Sequence, residues 1–166
     1  MTKSSTKKIA RAGVVGGLYV VLSMVTFSFS GGAIQFRISE GLTILPLLFP
    51  EVSIGLFVGC AITGLITGLA VYDIILGSLI TLVAGILTAV VGKTIKNKWI
   101  KFVVGGAFPV LLNAFLLPVI WYYLAGGLEY LYVVQVGFLL ISQSLSVYLV
   151  GAGILAGADK INQKLK

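Results

Sequence analysis

The 166-residue chain has no histidine and a single cysteine. The first absence excludes imidazole acid–base catalysis, and the two together exclude a Cys/His zinc site. A lone Cys60 can close no intramolecular disulfide, so it is read as packing. Charge is also scarce: 10% of residues are charged, only five of them acidic, while 58% are hydrophobic and the mean hydropathy is +1.10. A soluble domain has about 25% charged and roughly 45–50% apolar residues, so a water-soluble globular fold is excluded. No Gly-x-x-x-x-Gly-Lys loop occurs, so the chain lacks the usual cradle for nucleotide phosphates. No cofactor or metal is expected.

What is present is a series of long uncharged windows: 12–36, 52–72, 74–92, 102–128 and 130–158. A helix crossing the hydrocarbon core needs about 20 mainly apolar residues, and each window supplies that many or nearly so. A sixth window, 41–50, is half that length and carries Pro46 and Pro50. The net charge of +7 comes from three clusters: Lys3, Lys7, Lys8 and Arg11; Lys93, Lys96, Lys98 and Lys101; and Lys160, Lys164 and Lys166. Of all the basic residues only Arg37 lies elsewhere. The positive-inside rule puts all three clusters in the cytoplasm, which requires an even number of crossings between them.

Parity then makes the short window a crossing, or an incomplete one. The expected fold is an all-α integral membrane bundle of six transmembrane segments, residues 1–166 forming a single domain with both termini cytoplasmic. We place the segments at 8–30, 39–50, 52–70, 73–96, 101–124 and 130–164. Nucleic acid is excluded as a partner, because the basic charge reports topology; membrane lipid is the surrounding medium. Trp121, Tyr122, Tyr123, Tyr130 and Tyr132 suit the outer interface, and Trp99 and Phe102 the inner one. Ser28-Phe29-Ser30 resembles a signal-cleavage site, but the first segment is needed for parity and is read as retained. Gly31-Gly32 breaks the chain after it, Ser39 caps the second segment with Glu40 in its first turn, and Gly126-Gly127 marks the last outer turn.

Polar groups inside such windows are costly and tend to face a cavity or each other. Topology places Gln35, Arg37, Glu40 and Asp73 toward the outside, with Arg37 and Glu40 three apart and able to pair on a helix. Asn113 lies mid-membrane in the fifth segment, and Gln143, flanked by Ser142, Ser144 and Ser146, mid-membrane in the sixth. Amides offer donors and acceptors together, which suits a hydrogen-bonding organic ligand or, equally, a tie between helices. Glu51 is placed at the cytoplasmic surface without a site role. Asp73, Glu40 and Glu51 are set apart by topology, so no catalytic pair is visible. No polar stripe runs from face to face, as a channel would require. In the first segment Ala12 and Gly16, and likewise Gly13 and Gly17, stack on one side of the helix and let another helix approach closely. That helix could belong to the same bundle or to a partner.

Several stretches are together similar to the QueT family. They are Gln35-Phe36-Arg37-Ile38-Ser39-Glu40 with Leu45-Pro46 and Pro50, Gly55-Leu56-Phe57-Val58-Gly59-Cys60, Asp73 through Leu82, and Pro109 with Asn113. The likeness runs from about Ala10 to Gly151. It implies an S component of an energy-coupling factor transporter, an ABC-type micronutrient importer of the prokaryotic plasma membrane. It also implies a non-catalytic six-helix bundle with an outward ligand pocket, a transmembrane coupling subunit and two ATPase subunits as partners, and transport by toppling of the whole S component. The small-x-x-x-small edge at Ala12/Gly16 and Gly13/Gly17 would then dock the coupling subunit.

One departure stands out. Where the family carries a Gly-Glu pair before a Ser-Val-Tyr stretch, this chain has Ser142-Gln143-Ser144-Leu145-Ser146-Val147-Tyr148, with Gln143 in place of the acid. The substrate expected from the resemblance is a queuosine precursor of deazaguanine type, and the rival is cobalamin or another corrinoid. A deazaguanine would need its carboxylate from Glu40 or Asp73, with stacking from Phe36 or Tyr72. A corrinoid would need a large, open pocket. The candidate ligand-binding residues are thus Gln35, Phe36, Arg37, Glu40, Tyr72, Asp73, Asn113, Gln143 and Ser146.

Overall fold

A computed structural model describes residues 3–27, 36–124 and 131–164. The expectations for Gln35, Ser28-Phe29-Ser30, Gly31-Gly32, Gly126-Gly127 and Tyr130 fall outside these residues. Within them the chain is all-helical. In order come α1 (Lys3–Phe27), a 3-10 helix (Ile38–Leu47), α2 (Val52–Ile66), α3 (Val71–Thr94), α4 (Lys98–Leu124), α5 (Tyr132–Ser144), a π-helical stretch (Leu145–Val150) and α6 (Gly151–Lys164). Ser144, Leu145 and Gly151 all keep right-handed helical dihedrals, so the last three run on as one rod. Four stretches are long and apolar enough to cross a membrane: Ser5–Phe27, Val71–Thr94, Lys98–Leu124 and Tyr132–Ala158. The helices of the second and third windows are shorter.

Local chemistry accounts for the boundaries. The helix expected over 52–70 stops at Ile66 because Gly68 takes a left-handed φ of +69°. Leu69 N–H then bonds to Gly64 O at 3.0 Å and Gly68 N–H to Leu65 O at 3.3 Å, a Schellman closure that needs glycine at this point. α4 begins at Lys98 rather than at 101, because Asn97 Oδ1 accepts from the N–H groups of Trp99 (3.0 Å) and Ile100 (3.3 Å).

The second segment differs from expectation in kind. It is a 3-10 helix of ten residues, not an α-helix over 39–50. Pro46 lies inside it and has no N–H to donate, so an α-helical bond to Leu42 O cannot form there. Nor does Ser39 cap it. Its hydroxyl instead pairs with Ser23 Oγ of α1 at 2.7 Å. Arg37 and Glu40 are joined through the backbone, Glu40 N–H donating to Arg37 O at 3.1 Å.

This short helix is the centre of the bundle. Nine of its ten residues are buried, and it touches α1, α2, α3, α4, the π stretch and α6. Leu42 and Leu45 pack with Tyr19, Val52 and Leu56, while Ile44 and Leu47 pack with Val91, Val110 and Val147. Around it, consecutive helices pack side by side from α1 to α5. Pro109 inside α4 cannot donate to Gly105 O; the Thr88 hydroxyl of α3 does so instead, at 2.9 Å. A neighbouring hydroxyl taking up a carbonyl freed by proline is how membrane helices tolerate the residue.

The outer surface is apolar. Leu65, Leu149 and Val133 are 67%, 71% and 79% exposed, while Glu40, Asn113, Gln135 and Gln143 lie buried inside. This arrangement inverts that of a soluble protein and suits lipid surroundings.

Candidate ligand-binding site

Polar and apolar side chains turned inward from five elements line a cavity of about 160 Å³. α1 contributes Tyr19, Ser23 and Phe27; the segment of the 3-10 helix contributes Arg37 and Glu40; α2 contributes Cys60, Thr63 and Gly64. From α3 come Asp73, Ile74, Gly77 and Thr81, and from α4 come Asn113, Leu117 and Trp121. Asp73, Gly77 and Thr81 fall at intervals of four, with Ile74 three residues before Gly77, which keeps them on one helical face. Asn113, Leu117 and Trp121 follow at intervals of four on α4.

At the buried end Glu40 is 3% exposed. Its Oε1 accepts the Tyr19 hydroxyl at 2.6 Å and its Oε2 accepts Asn113 Nδ2 at 3.3 Å. Asn113 Nδ2 also donates to Gln143 Oε1 at 3.4 Å. With both amide hydrogens engaged, Asn113 presents its carbonyl oxygen as an acceptor, and Glu40 keeps two of its roughly four lone-pair sites. A carboxylate with oriented, partly unfilled acceptor sites suits a ligand edge bearing two adjacent donors.

At the other end Asp73 stands half-buried in the first turn of α3, where a negative charge is favoured by the helix dipole. Its Oδ1 accepts Trp121 Nε1–H at 3.0 Å. Arg37 lines the cavity too and is close enough for its charge to act on both carboxyl groups. Thr63 Oγ1 is buried in the lining without a hydrogen-bond partner.

Of the sequence candidates, Arg37, Glu40, Asp73 and Asn113 are brought together in the lining. Gln143 is buried behind Asn113, one hydrogen bond away from the wall. Ser146 is buried and donates to Ser142 O at 3.0 Å. Phe36 and Tyr72 are half-buried, outside the lining. Cys60, read as packing, both packs against the Tyr19 cluster and lines the cavity. Glu51 pairs with Arg11 at 3.3 Å, and Arg11 lies over the Phe49 ring at 4.5 Å, away from the cavity. Tyr19, Ser23, Thr63, Thr81 and Trp121 were not anticipated from sequence. No group of three or more His, Cys, Asp or Glu that could hold a metal occurs among the described residues.

The small residues of α1 divide between two faces. A Cβ at Gly16 would stand 2.6 Å from Gly55 O, and one at Gly59 would stand 2.7 Å from Gly16 O, so this edge is used within the bundle by α2. Ala12 meets Gly55 on the same side. Gly13 and Gly17 face open space beside a shallow apolar groove between α1 and α2.

A family model described as QueT transporter matches residues 9–160. The chain belongs to the QueT transporter family. It is 38% identical over 85 residues to the queuosine precursor transporter QueT of Lactococcus lactis subsp. cremoris (strain MG1363). That match covers 50% of each chain, so it spans about half the length of the curated relative. No solved structure matches. Membership in this transporter family, with four stretches among the described residues long and apolar enough to cross a membrane, makes the protein a multi-pass protein of the cell membrane.

Proposed function

We propose that the chain is the substrate-binding S component of an energy-coupling factor importer, and that it captures a deazaguanine-type queuosine precursor. The observation that carries the reading is the cavity itself, about 160 Å³ and walled by Glu40, Asn113, Arg37, Asp73 and Trp121. An engineered cavity of about 150 Å³ holds one benzene molecule, so this space suits a small flat base. A corrin macrocycle with its side arms is many times larger, and the cavity size argues against cobalamin. The free acceptor sites on Glu40 match the paired N–H donors on the pyrimidinone edge of a deazaguanine. Glu40 thus takes the role that Gln143 cannot. The likeness to the Lactococcus queuosine precursor transporter supports the same substrate class.

In this reading the chain crosses the membrane with both termini in the cytoplasm. Four long helices make full crossings, and the two short ones, in the second and third windows, complete the parity set by the basic clusters. Asp73 and Trp121, at the start of α3 and near the end of α4, then face outward, and the cavity fills from outside. Having no nucleotide-binding loop, the chain relies on a coupling subunit and two ATPase subunits. The coupling subunit docks along the open Gly13/Gly17 edge of α1, and toppling of the whole bundle carries the cavity to the inner face.

Calorimetric titration of the purified protein tests the substrate. Submicromolar binding of the aminomethyl-deazaguanine, with no heat from cobalamin, is expected. The reverse result overturns the substrate, and no heat from either overturns the pocket. Co-purification with the coupling and ATPase subunits tests the assembly, and Gly17→Leu is expected to abolish it.

A further inference from the structure

The turn between α3 and α4 carries Lys93, Lys96, Lys98 and Lys101, and no Asp or Glu occurs between residues 74 and 128. Lys93, Lys96 and Lys98 are exposed and Lys101 is half-buried. Other basic residues share this end of the bundle. Gly92 lies against the backbone of Leu47, and just beyond Leu47 the Glu51 carboxylate is paired with Arg11 of α1 at 3.3 Å. Exposed Lys7 and Lys8 precede Arg11 on the same helix. Lys98 and Lys101 stand three apart in the first turn of α4, where like charges repel and the helix dipole disfavours cations. A nearby anion relieves both. The N–H groups of Trp99 and Ile100 are already taken by Asn97, so the attraction comes from the lysine side chains.

The foot of α4 is fixed on its inner side. Phe102 stands edge-on to Tyr148 of the last rod, with ring centroids 5.6 Å apart, and the Tyr148 hydroxyl donates to Val103 O at 2.8 Å. Trp99, 79% exposed, and Ile100 turn outward. Ile100 begins a stripe of exposed apolar residues that continues through Val104, Leu111 and Phe115 on one face of α4. Ile75, Leu79, Val83, Ile86 and Val90 form a like stripe on α3, and Lys93, three residues on, extends it. The lysines therefore stand where the lipid-facing surfaces of the two helices end.

We propose that this turn binds anionic phospholipid from the leaflet at its end of the bundle. Lys93, Lys96, Lys98 and Lys101 hold the phosphate groups, Trp99 lies at headgroup level, and acyl chains run along the apolar stripes of α3 and α4. Basic side chains beside a membrane attract anionic headgroups, and an indole suits the boundary between headgroup and chain. A water-soluble partner would meet the lysines but not the stripes that lead from them into the membrane. The cavity wall includes none of these residues. Such a site depends on the chain spanning a membrane and not on what the cavity binds.

The experiment is native mass spectrometry of the purified full chain in detergent, with phosphatidylglycerol and phosphatidylcholine of identical acyl chains titrated in separately. A lysine near an anionic headgroup contributes about fivefold in affinity, so phosphatidylglycerol is expected to bind more tightly by on the order of tenfold or more. Changing all four lysines together (Lys93→Gln, Lys96→Gln, Lys98→Gln and Lys101→Gln) is expected to bring the ratio of the two affinities close to unity. Lys7→Gln with Lys8→Gln on α1 should leave it unchanged. Equal binding of the two lipids by the native chain overturns the proposal. So does a preference that survives the fourfold change in a folded protein. Glycerol phosphate that displaces the lipid at equal concentration would make this a site for a free anion, and overturns the lipid assignment. A fourfold variant that keeps the lipid preference but loses co-purifying subunits would make the turn a protein-docking surface instead. If the fourfold variant fails to fold, Lys96→Gln alone, between the helices, is expected to lower the ratio several-fold, and an unchanged ratio counts against the site.

Discussion

The Tyr19 hydroxyl donates to Glu40 Oε1 across 2.6 Å and so joins α1 to the central 3-10 helix at the buried end of the cavity. Both side chains are almost fully buried. Tyr19→Phe would leave Glu40 held by Asn113 Nδ2 and loosen its orientation. A hydrogen bond to a charged group contributes about 1.5–3 kcal/mol, so both the unfolding temperature in detergent and the affinity for the deazaguanine are expected to fall. Thermal unfolding with and without ligand separates the two effects. An affinity that does not change would show that the orientation of Glu40 is irrelevant to binding.

Thr88 and Pro109 act as a pair. The Thr88 hydroxyl bonds to Gly105 O, the carbonyl that Pro109 leaves without its helical donor. Thr88→Val is expected to cost about 1–3 kcal/mol by stranding a buried acceptor. In a Pro109→Ala background the restored N–H can take that carbonyl, and the same substitution should cost clearly less. A double-mutant cycle read by thermal unfolding measures this coupling. Purely additive losses would refute the pairing.

Sequence reading and structure agree where the physics is one of run length. Uncharged stretches of about 20 residues gave α1, α3, α4 and the final rod, as the hydrocarbon thickness requires, but the equally long window 52–72 gave only α2, Val52–Ile66, because Gly68 ends it. They part at 39–50, where Pro46 removes an α-helical donor and the bundle accommodates a buried 3-10 helix. The site divides similarly. Glu40, Asp73, Arg37 and Asn113 stood out because such groups are expensive in apolar surroundings. Tyr19, Ser23, Thr63 and Thr81 did not, since hydroxyl side chains are ordinary in membrane helices and only packing decides which of them face inward. Trp121 was read as an interface anchor. Its partnership with Asp73 depends on α3 lying beside α4, and sequence periodicity carries no record of that.

The two edges of α1 should respond differently to added bulk. A Cβ at Gly55 would collide with the backbone carbonyl of Ala12, and backbone cannot swing aside. Gly55→Ala is therefore expected to destabilise the bundle by about 1–3 kcal/mol through overpacking. Gly13→Ala and Gly17→Ala meet open space and should leave thermal unfolding near the native value. Under the docking proposal a larger residue at Gly13 or Gly17 instead lowers recovery of the coupling subunit in co-purification. A Gly17→Leu protein that is stable and still fully associated would remove docking from this edge.

Gln143 offers a graded test of how far the site extends. It accepts from Asn113 Nδ2 at 3.4 Å and lies behind the cavity wall. Its effect on a ligand must therefore pass through the orientation of Asn113, whose other hydrogen is held by Glu40. Asn113→Ala removes a cavity acceptor and a Glu40 donor together, and is expected to lower affinity by on the order of tenfold or more. Gln143→Ala removes one long hydrogen bond, of the kind that contributes about 0.6 kcal/mol between membrane helices, so a change of roughly threefold is expected. Titration of both variants with the same ligand reads the difference directly. If Gln143→Ala were as damaging as Asn113→Ala while the fold stayed intact, Gln143 would belong in the cavity wall, and the departure from the family's acid at this position would bear on substrate choice after all.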